Sequence, residues 1–331
     1  MACRGISQEF HPRFVLLGAP TEDGARLAGT KQGPTALRSA GLPEMLRQTG
    51  LEVDDRGDLT ENGRIEAGPV SLSGLARNSS RVALWTSRLS DASYALIREG
   101  AVPIFLGGDH SLSIGTVNGV ARHCADVGQT LSLLWLDAHA DFNTPATSPS
   151  GNMHGMALAA LCGEAGLEAI FGEKPRATID PHDVHVFGMR SVDIGEAELV
   201  RKRGVNVHGM RQVRELGVPQ MMGRILDTVA RRGGVLHVSF DADFLDPSIA
   251  PGVGTKVPGG ATIGEAHIIM DMLHRSGLVV SLDIAELNPM FDEGGKSARV
   301  IAELAAGLFG SRIATHQDAA KPETCHGRIG A

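Results

Sequence analysis

Four short segments set carboxylates and imidazoles at spacings that suit metal chemistry. They are GGDH at Gly107–His110, DAHAD at Asp137–Asp141, FDAD at Phe240–Asp243 and DIAE at Asp283–Glu286. In DAHAD, Asp137, His139 and Asp141 stand at i, i+2 and i+4, so an extended chain turns all three to one face. Clustered without a cation, such groups would suffer like-charge repulsion and lost hydration. FDAD repeats the device with Asp241 and Asp243, and His110 closes GGDH. The set is four carboxylates and two imidazoles. Oxygen-rich ligation with a minority of nitrogen suits a hard or borderline divalent ion. Mn²⁺ fits best, with iron, cobalt or nickel as relatives and zinc less natural. Six side chains are too many for one ordinary ion and suit two that share bridging carboxylates. Water held between two such ions would lose a proton near neutral pH and become a nucleophile.

Each residue taken alone has a plainer explanation. An Asp after a strand is usually a helix cap or turn former, and Gly-Gly before Asp is an ordinary turn. Four such motifs, each behind an apolar run, are not well explained by caps. His123, His182, His185, His208, His237, His267, His274 and His316 lack that context and read as surface or core histidines. A two-metal phosphoesterase would need Arg or Lys near the metals to meet phosphate charge, and the motifs offer almost none.

The elements that must position these groups read as a parallel α/β fold. The runs at 13–20, 102–108, 131–141, 183–190, 235–243 and 278–286 are short and apolar on both pleat faces. Most of them end in acids or histidine. Continuous apolar strands fit a parallel sheet buried between helices, and LEVDDRGD at 51–58 adds a further strand. Residues 33–50 read as one helix with Gly50 as its C-cap, and residues 73–99 as a long helix. Ligands in open α/β sheets bind beyond the carboxyl ends of the strands, so the polar residues after these strands should meet in one cleft. No linker or internal repeat divides the chain, and 1–331 reads as a single domain with a polar tail over 316–331.

Composition narrows the function classes. Thirty-eight acidic residues against 31 Lys and Arg give a formal charge of −7, and no basic stripe is visible, which argues against nucleic acid. Cys3, Cys124, Cys162 and Cys325 show no CxxC spacing and fit a reduced, intracellular protein. No run reaches membrane-spanning length, and the first 13 residues lack the apolar stretch of a signal peptide. A cytoplasmic location is the expectation.

The segments GGDHS, DAHADFNTPATSPSGNMHGM, SFDADFLDPSIAPGVGTKVPGG and SLDIAELNP resemble the ureohydrolase family of arginases, agmatinases, guanidinobutyrases and formiminoglutamases. The likeness runs from about Phe14 to Arg312. It implies a three-layer α/β/α sandwich with two Mn²⁺ per chain. One ion would take His110, Asp137, Asp141 and Asp241, the other Asp137, His139, Asp241 and Asp243, with Asp137 and Asp241 bridging. Within the family, SPSGNMHG is similar to the arginase form. It implies that Asn143, Ser150 and Asn152 bind a substrate α-carboxylate and that His154 shuttles a proton. Asp193 would read the α-ammonium with Glu196 in support, and Thr255 and Glu286 would lie around the guanidinium. The implied reaction is hydrolysis of L-arginine to L-ornithine and urea, with Asp141 orienting the attacking hydroxide. Another ureohydrolase activity is the alternative. Lys256 and Gly264 depart from the usual pattern, the first near the guanidinium end and the second in a region of subunit contacts. The family further implies a homo-oligomer, a trimer or hexamer.

Overall fold

The computed structural model describes residues 13–60, 70, 72 and 74–310. Eight strands form one sheet: β1 (Phe14–Ala19), β2 (Val53–Asp58), β3 (Val102–Gly107), β4 (Leu131–Leu136), β5 (Val184–Phe187), β6 (Asn206–His208), β7 (Val235–Asp241) and β8 (Val279–Ala285). Every strand pair is parallel, and the order across the sheet is β2-β1-β3-β8-β7-β4-β5-β6. The helices are α1 (Gly33–Ser39), α2 (Leu42–Arg47), α3 (Ser79–Arg98), α4 (Leu112–Asp126), α5 (Ala157–Leu161), α6 (Ile194–Arg203), α7 (Met210–Leu216), α8 (Val218–Arg231), α9 (Ile263–Ser276) and α10 (Lys296–Leu308).

The two-residue period of the strands divides the core. Leu16, Ile104, Leu134, Leu236, Val238 and Leu282 face the layer of α1, α2, α8, α9 and α10. Val15, Leu17 and Phe105 face α3, and Leu133, Trp135, Val184 and Val186 face α3, α4 and α5. Covering both faces is what a parallel sheet requires, because its βαβ crossovers place helices on each side. The three-layer α/β expectation therefore holds.

Three local expectations do not, and one strand was not expected at all. Residues 33–50 form two helices, because Gly41 adopts φ 92° and caps α2, a conformation that ends a right-handed helix. The long helix starts at Ser79 and not near 73, after Asn78 at φ 53°. Strand β6 was not read from the sequence, because three half-buried residues carry no periodic signal. The strands β7 and β8 are not apolar on both faces. On the side facing α4, His237 Nδ1 lies 2.7 Å from Ser281 Oγ, and Thr116 Oγ1 donates to Asp283 at 2.8 Å. The polar tail lies outside the described residues.

Strand β3 hands its chain to the site through Gly107 and Gly108. A Cβ at Gly108 would lie 1.8 Å from the carbonyl oxygen of Thr21, so only glycine fits where the two loops cross. Gly108→Ala should cost about 2 kcal/mol by overpacking a fixed backbone. Gly264→Ala, where a Cβ meets nothing within 4 Å, should stay within about 1 kcal/mol of the parent. Equilibrium unfolding of both variants checks this, and equal stabilities would contradict the crossing as drawn.

Candidate active site

Immediately beyond β3, Asp109 accepts hydrogen bonds from the backbone N–H groups of Gly24 (3.0 Å) and Ser111 (2.9 Å). For this residue the turn-forming role is the right one. The next residue, His110, is fully buried. Its ring stacks on Trp135 at 4.1 Å between centroids and 8° between planes. Its Nε2 lies 2.8 Å from Ser239 Oγ, and Ser113 Oγ is 3.3 Å from the same oxygen. Its Nδ1 stands 3.0 Å from Asp241, 3.1 Å from Asp141 and 3.2 Å from Asp137. That nitrogen makes no hydrogen bond among the described residues. Ligand atoms at right angles around an ion, with bonds of about 2.1 Å, are about 3 Å apart. The three distances from Nδ1 are those of neighbouring ligand atoms, and His110, Asp137 and Asp141 offer ligand atoms all within 4.8 Å of one another; Ser239 on Nε2 fixes the ring with Nδ1 toward them.

Strand β4 supplies the second group. His139 Nδ1 lies 3.4 Å from Asp137 Oδ1 and 3.2 Å from Asp243 Oδ2. Asp137 therefore belongs to both groups, with Oδ2 toward His110 and Oδ1 toward His139. Trp135 Nε1 and the His139 backbone N–H donate to its two oxygens at 2.9 and 2.7 Å. Asp243 Oδ1 accepts from the Ala138 N–H at 3.1 Å. Asp241, the other residue expected to bridge, lies with Oδ2 3.0 Å from His110 Nδ1, and its Oδ1 accepts from the Asp243 backbone N–H at 2.7 Å, much as the Asp137 oxygens accept from Trp135 and His139.

Packing these acids together perturbs every one. Burial, then Asp137, raises the pKa of Asp141. Burial, then Asp243 and Asp137, holds that of Asp241 well above the usual carboxylate range. Burial and Asp137 bring Asp243 to about 6. Burial disfavours charge on His139 too, but Asp137 and Asp243 override it and push its pKa up to about 12. Anions this close need compensating charge, which protons on the imidazoles or divalent cations can supply. Cations would displace those protons. Four carboxylates and two imidazoles with an aligned Nδ1 fit a pair of oxygen-preferring ions.

Above the ligands opens a cleft of about 270 Å³. His139, Asp141, Asn143, Ser150, Asn152, His154, Asp193, Glu196, Asp241, Asp243, Thr255 and Glu286 all line it, and His110 and Asp137 are buried outside its lining. Among the described non-glycine residues only Asn78, Asp141 and Glu286 have positive φ, the last two at 48° and 61°. Strained backbone at two cleft acids marks them as places where position outweighs local stability. Glu286 Oε1 accepts from the His110 backbone N–H at 2.8 Å and lies 2.9 Å from His154 Nδ1. Burial opposes charge on His154, but Glu286 overcomes it and raises the pKa to about 9. Across the cleft, Asn143 Nδ2 donates to Asp193 at 3.1 Å, and Thr147 Oγ1 donates to Asn143 Oδ1 at 2.9 Å. Glu196 accepts from the backbone N–H groups of Phe142 (2.8 Å) and Asp193 (3.2 Å). Burial raises its pKa to about 7.

Two residues singled out from the sequence fall elsewhere. Asp283 of DIAE points away from the ligands to Thr116 and His237, because it sits three residues from Glu286 across a strand end. Lys256 is exposed and does not line the cleft. Trp135 and Ser239, which orient Asp137 and His110, were not anticipated. Each stands two residues before a ligand in a strand and so shares its face, and that was the available signal.

The chain matches the model of the arginase family over residues 12–310. It is 47% identical over 298 residues to an arginase of Agrobacterium fabrum, covering 90% of this chain and 91% of that one. It is 46% identical over 307 residues to an arginase of Brucella melitensis, covering 90% and 96%. The solved arginase of Bacillus caldovelox superimposes with a TM-score of 0.82 at 38% identity, covering 91% of this chain and 99% of that one. With the family match over residues 12–310 and similarity across nine-tenths of the sequence, the chain belongs to the arginase family.

Proposed function

We propose that the chain hydrolyses L-arginine to L-ornithine and urea, with two Mn²⁺ held by His110, Asp137, His139, Asp141, Asp241 and Asp243. The observation that carries the reading is a cluster of candidate ligands roofed by a cleft with acids and neutral donors but, among the described residues, no Lys or Arg in its lining. Such a cleft favours a substrate with two cationic ends and rejects phosphate. Its carboxylate subsite would consist of Asn143, Ser150 and Asn152. Neutral donors hold an anion there without the desolvation cost of a buried Arg. Among the described residues the Asn152 side chain makes no hydrogen bond of its own, while the Ser150 hydroxyl accepts from the Asn152 backbone N–H at 3.1 Å. Asp193 would pair with the α-ammonium, held in place by Asn143 and, through its backbone, by Glu196.

When bound, a pair of divalent cations activates water at neutral pH and acts as a Lewis acid. The chain's own groups do the rest. Glu286, anchored by the His110 backbone and His154, holds the planar guanidinium in line for attack. Asp141 orients the nucleophile by accepting its hydrogen bond. His154 carries a proton on Nδ1 against Glu286, which leaves Nε2 to deliver one to the departing amine. The oligomer expected of the family, a trimer or hexamer, and a cytoplasmic location are further parts of this reading. Exposed Ile263 and Ile268 on α9 support a covered surface there, and sedimentation equilibrium measures its stoichiometry.

Two outcomes follow. His154 has its pKa raised to about 9 by Glu286, so its donor form persists through neutral pH. The kcat of the wild type should fall as pH rises through about 9, and His154→Ala should lack that limb with kcat lowered about 100-fold. A wild-type profile that shares the variant's shape would remove His154 from the proton path. The second outcome concerns choice of substrate. Agmatine lacks the carboxylate and would leave the Ser150 and Asn152 donors, and the second amide hydrogen of Asn143, without their anion. A loss of about 3 kcal/mol corresponds to roughly two orders of magnitude in kcat/KM. Asn152→Ala and Asp193→Ala should raise KM for arginine and erode the preference, with metal content unchanged. Preference of the wild type for agmatine or 4-guanidinobutyrate would overturn the arginine reading and keep the family assignment.

A further inference from the structure

Arg190 leaves β5 three residues before Asp193, and all the hydrogen bonds of its side chain among the described residues go to backbone carbonyls. Nη2 donates to Asp243 O at 2.6 Å and to Val257 O at 2.8 Å, with Leu245 O at 3.4 Å. Nε donates to Val257 O at 3.1 Å, and Nη1 to Gly188 O at 3.3 Å and Phe244 O at 3.5 Å. Its backbone N–H donates to Ala138 O at 2.8 Å, between Asp137 and His139. One residue outside the cleft lining therefore ties together the exit of β5, the ligand loop after β7 and the loop that carries Thr255. Beyond the strand ends the loop after β7 and the Thr255 loop share one isolated bridge, Leu245 with Ala261, so the guanidinium supplies most of the ties at Asp243 and Val257.

We infer that Arg190 is a positioning residue that sets the ligand Asp243, and with it the half of the metal centre formed by Asp137, His139 and Asp243. The inference rests on the two-metal reading above. Of the ligands, only Asp243 has its own carbonyl on the guanidinium, and by the shortest of the six contacts. The same residue receives the Ala138 N–H on Oδ1, so its carboxylate is aimed by bonds at both ends. The His110 group is oriented by Ser239 and Trp135 and has no direct bond to the Arg190 side chain among the described residues; its link runs only through the Asp243 N–H that donates to Asp241. A planar guanidinium is suited to the task, since a rigid fork reaches carbonyls diverging from three segments. A lysine ammonium keeps the charge but not the geometry. The Ala138 bond is made by the backbone and survives side-chain substitution, so the effect of a change should fall chiefly on Asp243 and Val257, which hold the shortest side-chain bonds.

Calorimetric titration of Mn²⁺ into metal-stripped wild type, Arg190→Lys and Arg214→Ala tests this. Arg214 donates to Gly259 O at 2.8 Å on the Thr255 loop but not to Asp243, so it controls for loosening of that loop. In Arg190→Lys, one of the two ions should bind about tenfold or more weakly, with the other within twofold of wild type. Arg214→Ala should keep both affinities. Arg190→Gln replaces the lysine variant if that chain does not fold. Equal weakening of both ions, no weakening, or the same split in Arg214→Ala overturns the positioning role. A wild type that takes up fewer than two ions overturns it together with the two-metal reading.

Discussion

Everything in this molecule answers to one electrostatic constraint: Asp137, Asp141, Asp241 and Asp243 are buried within a few ångströms of one another. Carboxylates cannot share such a place as free anions. Their charge has to be met by protons or by cations, and the details of the site favour cations. Asp137 turns one oxygen to each imidazole. His110 has its Nε2 on Ser239 and, among the described residues, its Nδ1 free of hydrogen bonds. Trp135 supplies both a stacking surface for His110 and a donor to Asp137. A cluster meant to be balanced only by protons would need none of this alignment.

The sheet exists in the order that makes the cluster possible. His110, the Asp137–Asp141 segment, Asp241 with Asp243, and Glu286 follow β3, β4, β7 and β8. These are the four central strands, adjacent as β3-β8-β7-β4. The late insertion of β7 and β8 between β3 and β4 brings residues more than 100 positions apart within 3 Å of contact. Helices on both faces bury the strands, and only the carboxyl edge is left for chemistry. The cost appears as strain at Asp141 and Glu286, each held at positive φ, and it is met by the packing of the surrounding core.

How legible this was from the sequence depended on the range of the signal. Alternation inside DAHAD and FDAD is a local property, so the clustering of their acids and His139 could be read directly, as could the strands behind them. Helix ends at Gly41 and Asn78 depend on single backbone conformations and were placed wrongly. Asp283 looked like part of the metal motif because spacing along a strand does not reveal where the strand ends. The carbonyl network of Arg190 was invisible, since most of its partners lie on two distant segments and any residue type can offer a carbonyl. The capping link of Glu196 to Asp193 was an ordinary helix-start signature that also lines the cleft, so one pair of residues serves local folding and the site together.

The central claim is that Asp137 joins two cations into one centre. Electron paramagnetic resonance of the protein loaded with two equivalents of Mn²⁺ tests it most directly, because a shared carboxylate and the short metal separation of a two-metal site couple the spins. The account predicts a broadened, exchange-coupled spectrum that collapses to isolated-ion lines in Asp137→Asn. A wild-type spectrum of independent six-line signals, or uptake of a single ion, would contradict it.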